Sequence, residues 1–139
     1  MTNVSVVFCD EIRAEANGKL FLIGTYTGEM NIAQLPARVT LQALIRFWPA
    51  PPAGERFVLE IRLDDEVTTK LEVDVEKADD APDSIVDEAM ALVTPQMNLH
   101  ITQNGKISVH FGNSEKLEEV ARLPFRYVPQ PMSPSSTPR

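Results

Sequence analysis

Hydrophobic positions recur with a period of two along most of this chain, the spacing that sends alternate side chains to opposite faces of an extended strand. The stretch from Val4 to Gly28 sets the pattern: two β-type runs flank Asn17-Gly18, a pair suited to a tight hairpin turn. A two-residue loop would pair Ile12 with Ile23 and Ala14 with Phe21. A three-residue loop ending in Gly18 instead pairs Ile12 with Leu22, Phe8 with Tyr26 and Glu15 with Lys19. The second register sets opposite charges side by side next to the turn and is preferred. Residues 19–26 are apolar on both faces, which places the hairpin at the centre of a sheet with something covering each side.

The alternation continues beyond a connection at 28–36. In the run from Ala37 to Trp48, Val39, Leu41, Ala43, Ile45 and Phe47 alternate with Arg38, Thr40, Gln42, Leu44 and Arg46, and the proline-rich segment 49–54 stops the strand. A hairpin follows. Its three-residue loop, Asp64-Asp65-Glu66, puts Leu59 opposite Leu71, Phe57 opposite Val73 and Ile61 opposite Thr69, and on the other face Glu60 opposite Lys70 and Arg56 opposite Asp74. A slip of two residues would set Arg62 against Lys70 and Glu60 against Glu72, so charge selects the first register. That loop lacks the glycine such loops usually carry.

Over 84–92 two readings stand: a helical turn capped at Ser84, or a strand from Ala89 to Val93 stopped near Pro95. Residues 97–111 read as another hairpin about Asn104-Gly105. A loop of Gln103-Asn104-Gly105 pairs Ile101 with Ile107, Leu99 with Val109 and Met97 with Phe111, and gives Gly105 the left-handed position after a type I turn. Residues 112–119 are a polar excursion with room for one helical turn, and 120–128 are the last strand, broken locally by Pro124.

Seven to eight strands with no βαβ rhythm predict an all-β fold, an antiparallel β-sandwich of immunoglobulin-like or C2-like kind, with a closed β-barrel as the rival. At 139 residues the chain fits a single domain, 1–128, followed by a Pro/Ser-rich tail, 129–139, expected to be disordered. The single cysteine excludes an internal disulfide framework. No apolar run approaches about 18 residues and no basic-then-apolar leader opens the chain, so a cytoplasmic protein that neither spans nor anchors in a membrane is expected.

The net charge of −7 argues against nucleic acid as a partner, since phosphate neutralisation needs a basic face. Residues 55–88 hold 13 of the 20 acidic residues and 4 of the 13 basic ones, so the acidity belongs to one region, where a basic partner would dock. Little else points to chemistry. Cys9 lies in an apolar run beside Asp10, which opposes thiolate formation, and reads as a small core residue. In the predicted register His100 and His110 lie diagonally on one outer face. Zinc would need a third ligand, and none is evident nearby. Asp64, Asp65 and Glu66 lie at the opposite end of a strand from Asp79, Asp80 and Asp83, so the two loops should not converge on calcium. Adjacent carboxylates at 10–11 and 118–119 point to opposite faces of a strand and make no acid–base dyad. No metal or cofactor is expected. Trp48, before the proline-rich loop, is either a strand-end core residue or an exposed anchor.

The opening stretch Val6-Val7-Phe8-Cys9-Asp10-Glu11-Ile12-Arg13, then Asn17-Gly18-Lys19-Leu20, then the run from Leu22 to Met30, resembles a family of small bacterial proteins known only as a domain of unknown function. The likeness is best over residues 4–48. It implies a bacterial or phage-associated source and supplies no activity, cofactor or site residue. The expectation is a non-enzymatic protein whose task is association, with itself as a homodimer or with another protein. The alternative is a module holding a small molecule or sugar at a loop end, with Trp48 or Tyr26 as platform and His100 and His110 as further contacts.

Overall fold

Alternating side chains build ten strands in the computed structural model, which describes residues 2–75 and 89–129. They are β1 (Asn3–Ala14), β2 (Leu20–Tyr26), β3 (Met30–Ile32), β4 (Ala37–Trp48), β5 (Arg56–Leu63), β6 (Glu66–Asp74), β7 (Met90–Val93), β8 (Met97–Ile101), β9 (Gly105–Gly112) and β10 (Leu117–Tyr127). Two five-stranded sheets pack face to face. The first runs β2-β1-β4, with β7 and β8 sharing the far side of β4. The second runs β3-β10-β9-β5-β6. Both sheets are open, so this is a sandwich and not a closed barrel. Among the described residues every pairing is antiparallel except that of β3 with β10. The capped turn read at Ser84 and the Pro/Ser-rich tail from residue 130 lie outside the described residues, and Met90–Val93 is a strand.

The strand count exceeds the predicted seven to eight for two local reasons. β3 is only three residues long, too short for periodicity to reveal, yet Met30 and Ile32 both drop into the core. The other is that Met90–Val93, in the region left open between helical turn and strand, forms β7. The helical turn read within 112–119 is also absent: Asn113 Oδ1 accepts from the N–H groups of Glu115 and Lys116, both at 2.9 Å, and β10 resumes at Leu117.

Two hairpins keep their predicted registers. β1 and β2 pair Phe8 with Tyr26 and Ile12 with Leu22, and the Glu15 N–H donates to the Lys19 carbonyl at 2.8 Å. Asn17 and Gly18 turn the chain at φ 69° and 75°, which these two residue types tolerate best. β5 and β6 pair Leu59 with Leu71, Glu60 with Lys70 and Arg56 with Asp74. The loop is shorter than predicted: Leu63 pairs with Glu66, so only Asp64 and Asp65 turn the chain, Asp64 at φ 55° with its carboxylate accepting from the Lys106 N–H at 3.1 Å. A bulge after Ile61 absorbs the remaining residue.

The third predicted hairpin does not exist. β8 pairs with β4, setting Met97 against Leu41 and Leu99 against Val39, whereas β9 pairs with β5 and β10. The chain therefore crosses from one sheet to the other over residues 102–104. Alternation requires only that Leu99, Ile101, Ile107 and Val109 share the core, and stacking them across the sandwich buries them as well as pairing them side by side. Gly105 is not left-handed either. It is needed for room, because a Cβ there would lie 2.9 Å from Asp64 Cγ.

The core is filled by Leu41, Ala43, Ile45 and Phe47 of β4 facing Phe57, Leu59 and Ile61 of β5 and Ile107 and Val109 of β9. Phe47, Phe57 and Phe111 form a tilted trio with ring centroids 5.2–5.3 Å apart. On the opposite face of β4 sits a buried polar residue, Gln42. Its Oε1 accepts from the Ile12 N–H and its Nε2 donates to the Thr94 carbonyl, each at 2.9 Å. Thr94 in turn pairs with Ala43 through its hydroxyl and its N–H. Gln42 marks the level at which β4 loses β1 and exchanges β7 for β8.

Candidate functional site

The exposed strands differ sharply in how they are guarded. An open edge presents unpaired N–H and C=O groups, and charge, brevity or interruption normally protects it. β6 carries Glu66, Lys70, Glu72 and Asp74; β3 has three residues; β7 and β8 are short and separated by a jog. β2 is the least guarded: it is uncharged from Leu20 to Tyr26, and its one break from extended backbone is Gly24, at φ 69°. The hairpin is therefore not central as a whole: β1 is interior and β2 is an edge. β1 pairs with β4 only from Asn3 to Cys9 and continues to Ala14 with β2 alone. Beyond that point the hairpin is a two-stranded ribbon with apolar residues on both sides, and Leu20 and Phe21 are 37% and 54% exposed.

The base of this ribbon is fixed by Asp10, Gly24 and Tyr26. Gly24 has φ 69°, and a Cβ there would lie 2.9 Å from Asp10 Cγ. The Tyr26 hydroxyl donates to Asp10 at 2.8 Å. Burial and this bond push the phenol up to about 12. Tyr26 is thus half-buried against the core and tied back, not presented as a free platform.

Trp48 is 57% exposed. Phe47 takes the core position at this end of β4, which turns Trp48 to the outer face, where it lines a shallow hollow of about 300 Å³ with Asn3, Ser5 and Arg46. The two histidines are not neighbours. His100 pairs with Arg38 on the outer face of the first sheet, and His110 lies between Glu60 and Glu119 on that of the second. Their predicted diagonal contact depended on the hairpin that does not form.

His110 sits in a polar layer over β5, β9 and β10. Its Nε2 is 2.9 Å from Ser108 Oγ, Arg62 contacts Glu60 at 2.8 Å, and Glu119 holds both Lys106, at 3.1 Å, and Arg122. The Ser–His contact is not a nucleophile with its base: Ser108 is fully buried, and no described carboxylate hydrogen-bonds His110. Burial, helped by Arg62, lowers the His110 pKa, and Arg122 and Lys106 hold the Glu119 carboxyl below its ordinary value. With a lowered folded pKa, His110 contributes its full stability above 6.5 and loses it as pH falls through the folded value. Glu119 adds a further loss below 4.5. His110→Gln is therefore expected to flatten the fall in urea midpoint between about pH 7.5 and about pH 5.5, while leaving the steeper loss at lower pH.

The sandwich has a cleft at each end. One, of about 510 Å³, is lined by Asp64, Asp65, Glu66, His100 and Gln103. The other, of about 540 Å³, has Val4, Phe57, Phe111 and Val120 in its lining and Asn3 and Arg56 beside them. Among the described residues no three of His, Cys, Asp and Glu are placed to share a metal ion, and Asp79, Asp80 and Asp83 lie outside those residues. Cys9 is fully buried, with Sγ 3.7 Å from the Gln42 carbonyl, and burial and Asp10 raise its thiol pKa. Gln42 and the exposed half of β2 were missed in the sequence. Only the lack of charge from Leu20 to Tyr26 could have flagged the edge.

Two open sheets with one weakly guarded edge define a β-sandwich whose distinguishing surface is backbone and apolar side chain. The chain belongs to a family of unknown function, DUF6941, whose model matches residues 4–126, from within β1 to within β10. Comparison with curated proteins gave no match. No helix among the described residues is long and apolar enough to cross a membrane.

Proposed function

We propose that this is a non-enzymatic interaction protein that associates with a second copy of itself. The observation that carries the reading is the β1–β2 ribbon, which leaves the sandwich after Cys9 with Leu20 and Phe21 exposed on an uncharged edge. A two-stranded ribbon is marginal in water and gains from a third strand, and pairing would remove apolar surface on both of its sides. Light scattering at tens of micromolar is expected to return twice the 15.5 kDa chain mass. A strict monomer overturns the reading.

A second reading, a module for a small molecule or sugar, draws support from the cleft beside Phe57 and Phe111, whose apolar floor and Arg56 and Asn3 rim fit such a ligand. Neither Trp48 nor Tyr26 lines it. A thermal shift with a sugar or aromatic acid, lost on Phe111→Ala, is what this reading requires.

A further inference from the structure

We infer that the second copy adds to the first sheet through β2 itself, antiparallel and centred on Ile23, so that two five-stranded sheets become one continuous sheet across a two-fold axis. The inference rests on the self-association proposed above and specifies its geometry.

Charge favours a second copy as occupant. A chain of net charge −7 resists its own approach, and 13 of its 20 acidic residues lie in 55–88, whose described strands β5 and β6 belong to the other sheet. β2 is uncharged along its length, so it is an edge where two copies meet without opposing like charges. The charged β6 edge, by contrast, would set Glu72 and Asp74 against their own kind in many registers.

Parity and length then choose the register. Residues opposed in an antiparallel pair share a face, so the axis must pass through a residue and not between two. Ile23 is the middle of the seven residues of β2, and only a register centred there pairs the strand from end to end. Ile23 then faces Ile23 of the second copy, Phe21 faces Thr25, Leu20 faces Tyr26 and Leu22 faces Gly24. The exposed Phe21 is covered by a β-branched neighbour. Gly24, over which the Asp10 side chain lies, presents no side chain of its own to Leu22.

Cysteine substitutions in the full chain test this. Opposed Cα atoms in an antiparallel pair lie about 4.5–5.5 Å apart, within disulfide range. Ile23→Cys is expected to give a covalent dimer under mild oxidation. Phe21→Cys alone should not, because its own copy lies four positions away, about 13 Å. Mixing Phe21→Cys with Thr25→Cys should link one to the other. The native chain, with only buried Cys9, is the unlinked control. Phe21→Lys, at an exposed position, is expected to keep the fold and weaken the dimer about tenfold or more. If light scattering finds a dimer but Ile23→Cys does not link, or Phe21→Cys links by itself, this geometry is overturned and self-association stands. If the native chain is monomeric, both fall.

Discussion

Replacing Phe47 with alanine is expected to destabilise the protein by about 3–5 kcal/mol, read as a drop in urea midpoint without change of slope. The ring is fully buried, 5.2 Å from Phe57 and 5.3 Å from Phe111, and so joins the first sheet to two strands of the second. Phe47 itself is held by ladders on both sides, to Val4 of β1 and to Met90 of β7. Backbone fixed in this way cannot close over the space that the ring vacates, which is the condition under which the cavity contribution is largest. Phe111→Ala should cost less, because that ring is only half-buried. For a domain whose whole stability is typically about 5–15 kcal/mol, the Phe47 variant should be only marginally folded at ambient temperature.

What could be read from the sequence follows from which constraints are local. The β1–β2 and β5–β6 registers were legible because turn residues and paired charges lie within a few positions of each other. The β8–β9 arrangement was not. The pattern of Leu99, Ile101, Ile107 and Val109 states that all four face the core, but not whether they meet beside one another or across it. His100 and His110 inherited that ambiguity, and the structure puts them on opposite outer faces. The two apolar faces of residues 19–26 carried a similar double meaning. They show that both sides of the strand need cover, which a central position or a partner could supply. The strand is an edge, so the pattern that pointed to the middle of a sheet now supports an interface. Trp48 misleads for a simpler reason: only one of two consecutive strand residues can face inward, and Phe47 is the one that does.

Gln42→Leu is expected to cost about 2–4 kcal/mol, although in the alternation Gln42 occupies a position that looks solvent-facing. The amide links three backbones: it accepts from Ile12 where β1 turns away from β4, and donates to Thr94 in the jog between β7 and β8. Leucine fills much of the same volume but leaves the Thr94 carbonyl and the Ile12 N–H without these partners, and the loss is greatest for the fully enclosed Thr94. Gln42→Glu should be worse at neutral pH, since a carboxylate keeps the acceptor and loses the donor, facing the Thr94 carbonyl with negative charge. Its defect should ease in acid, when the protonated carboxyl can donate again. Denaturant midpoints of the two variants at neutral and acid pH separate these effects. Hydrogen exchange adds the spatial test. Because Gln42 provides a side-chain tether to the ribbon beyond Cys9, the Ile12 amide and those around it should exchange faster in Gln42→Leu than amides of β5 and β9. Uniform acceleration across both sheets would mean that the glutamine acts on global stability alone and does not anchor the ribbon.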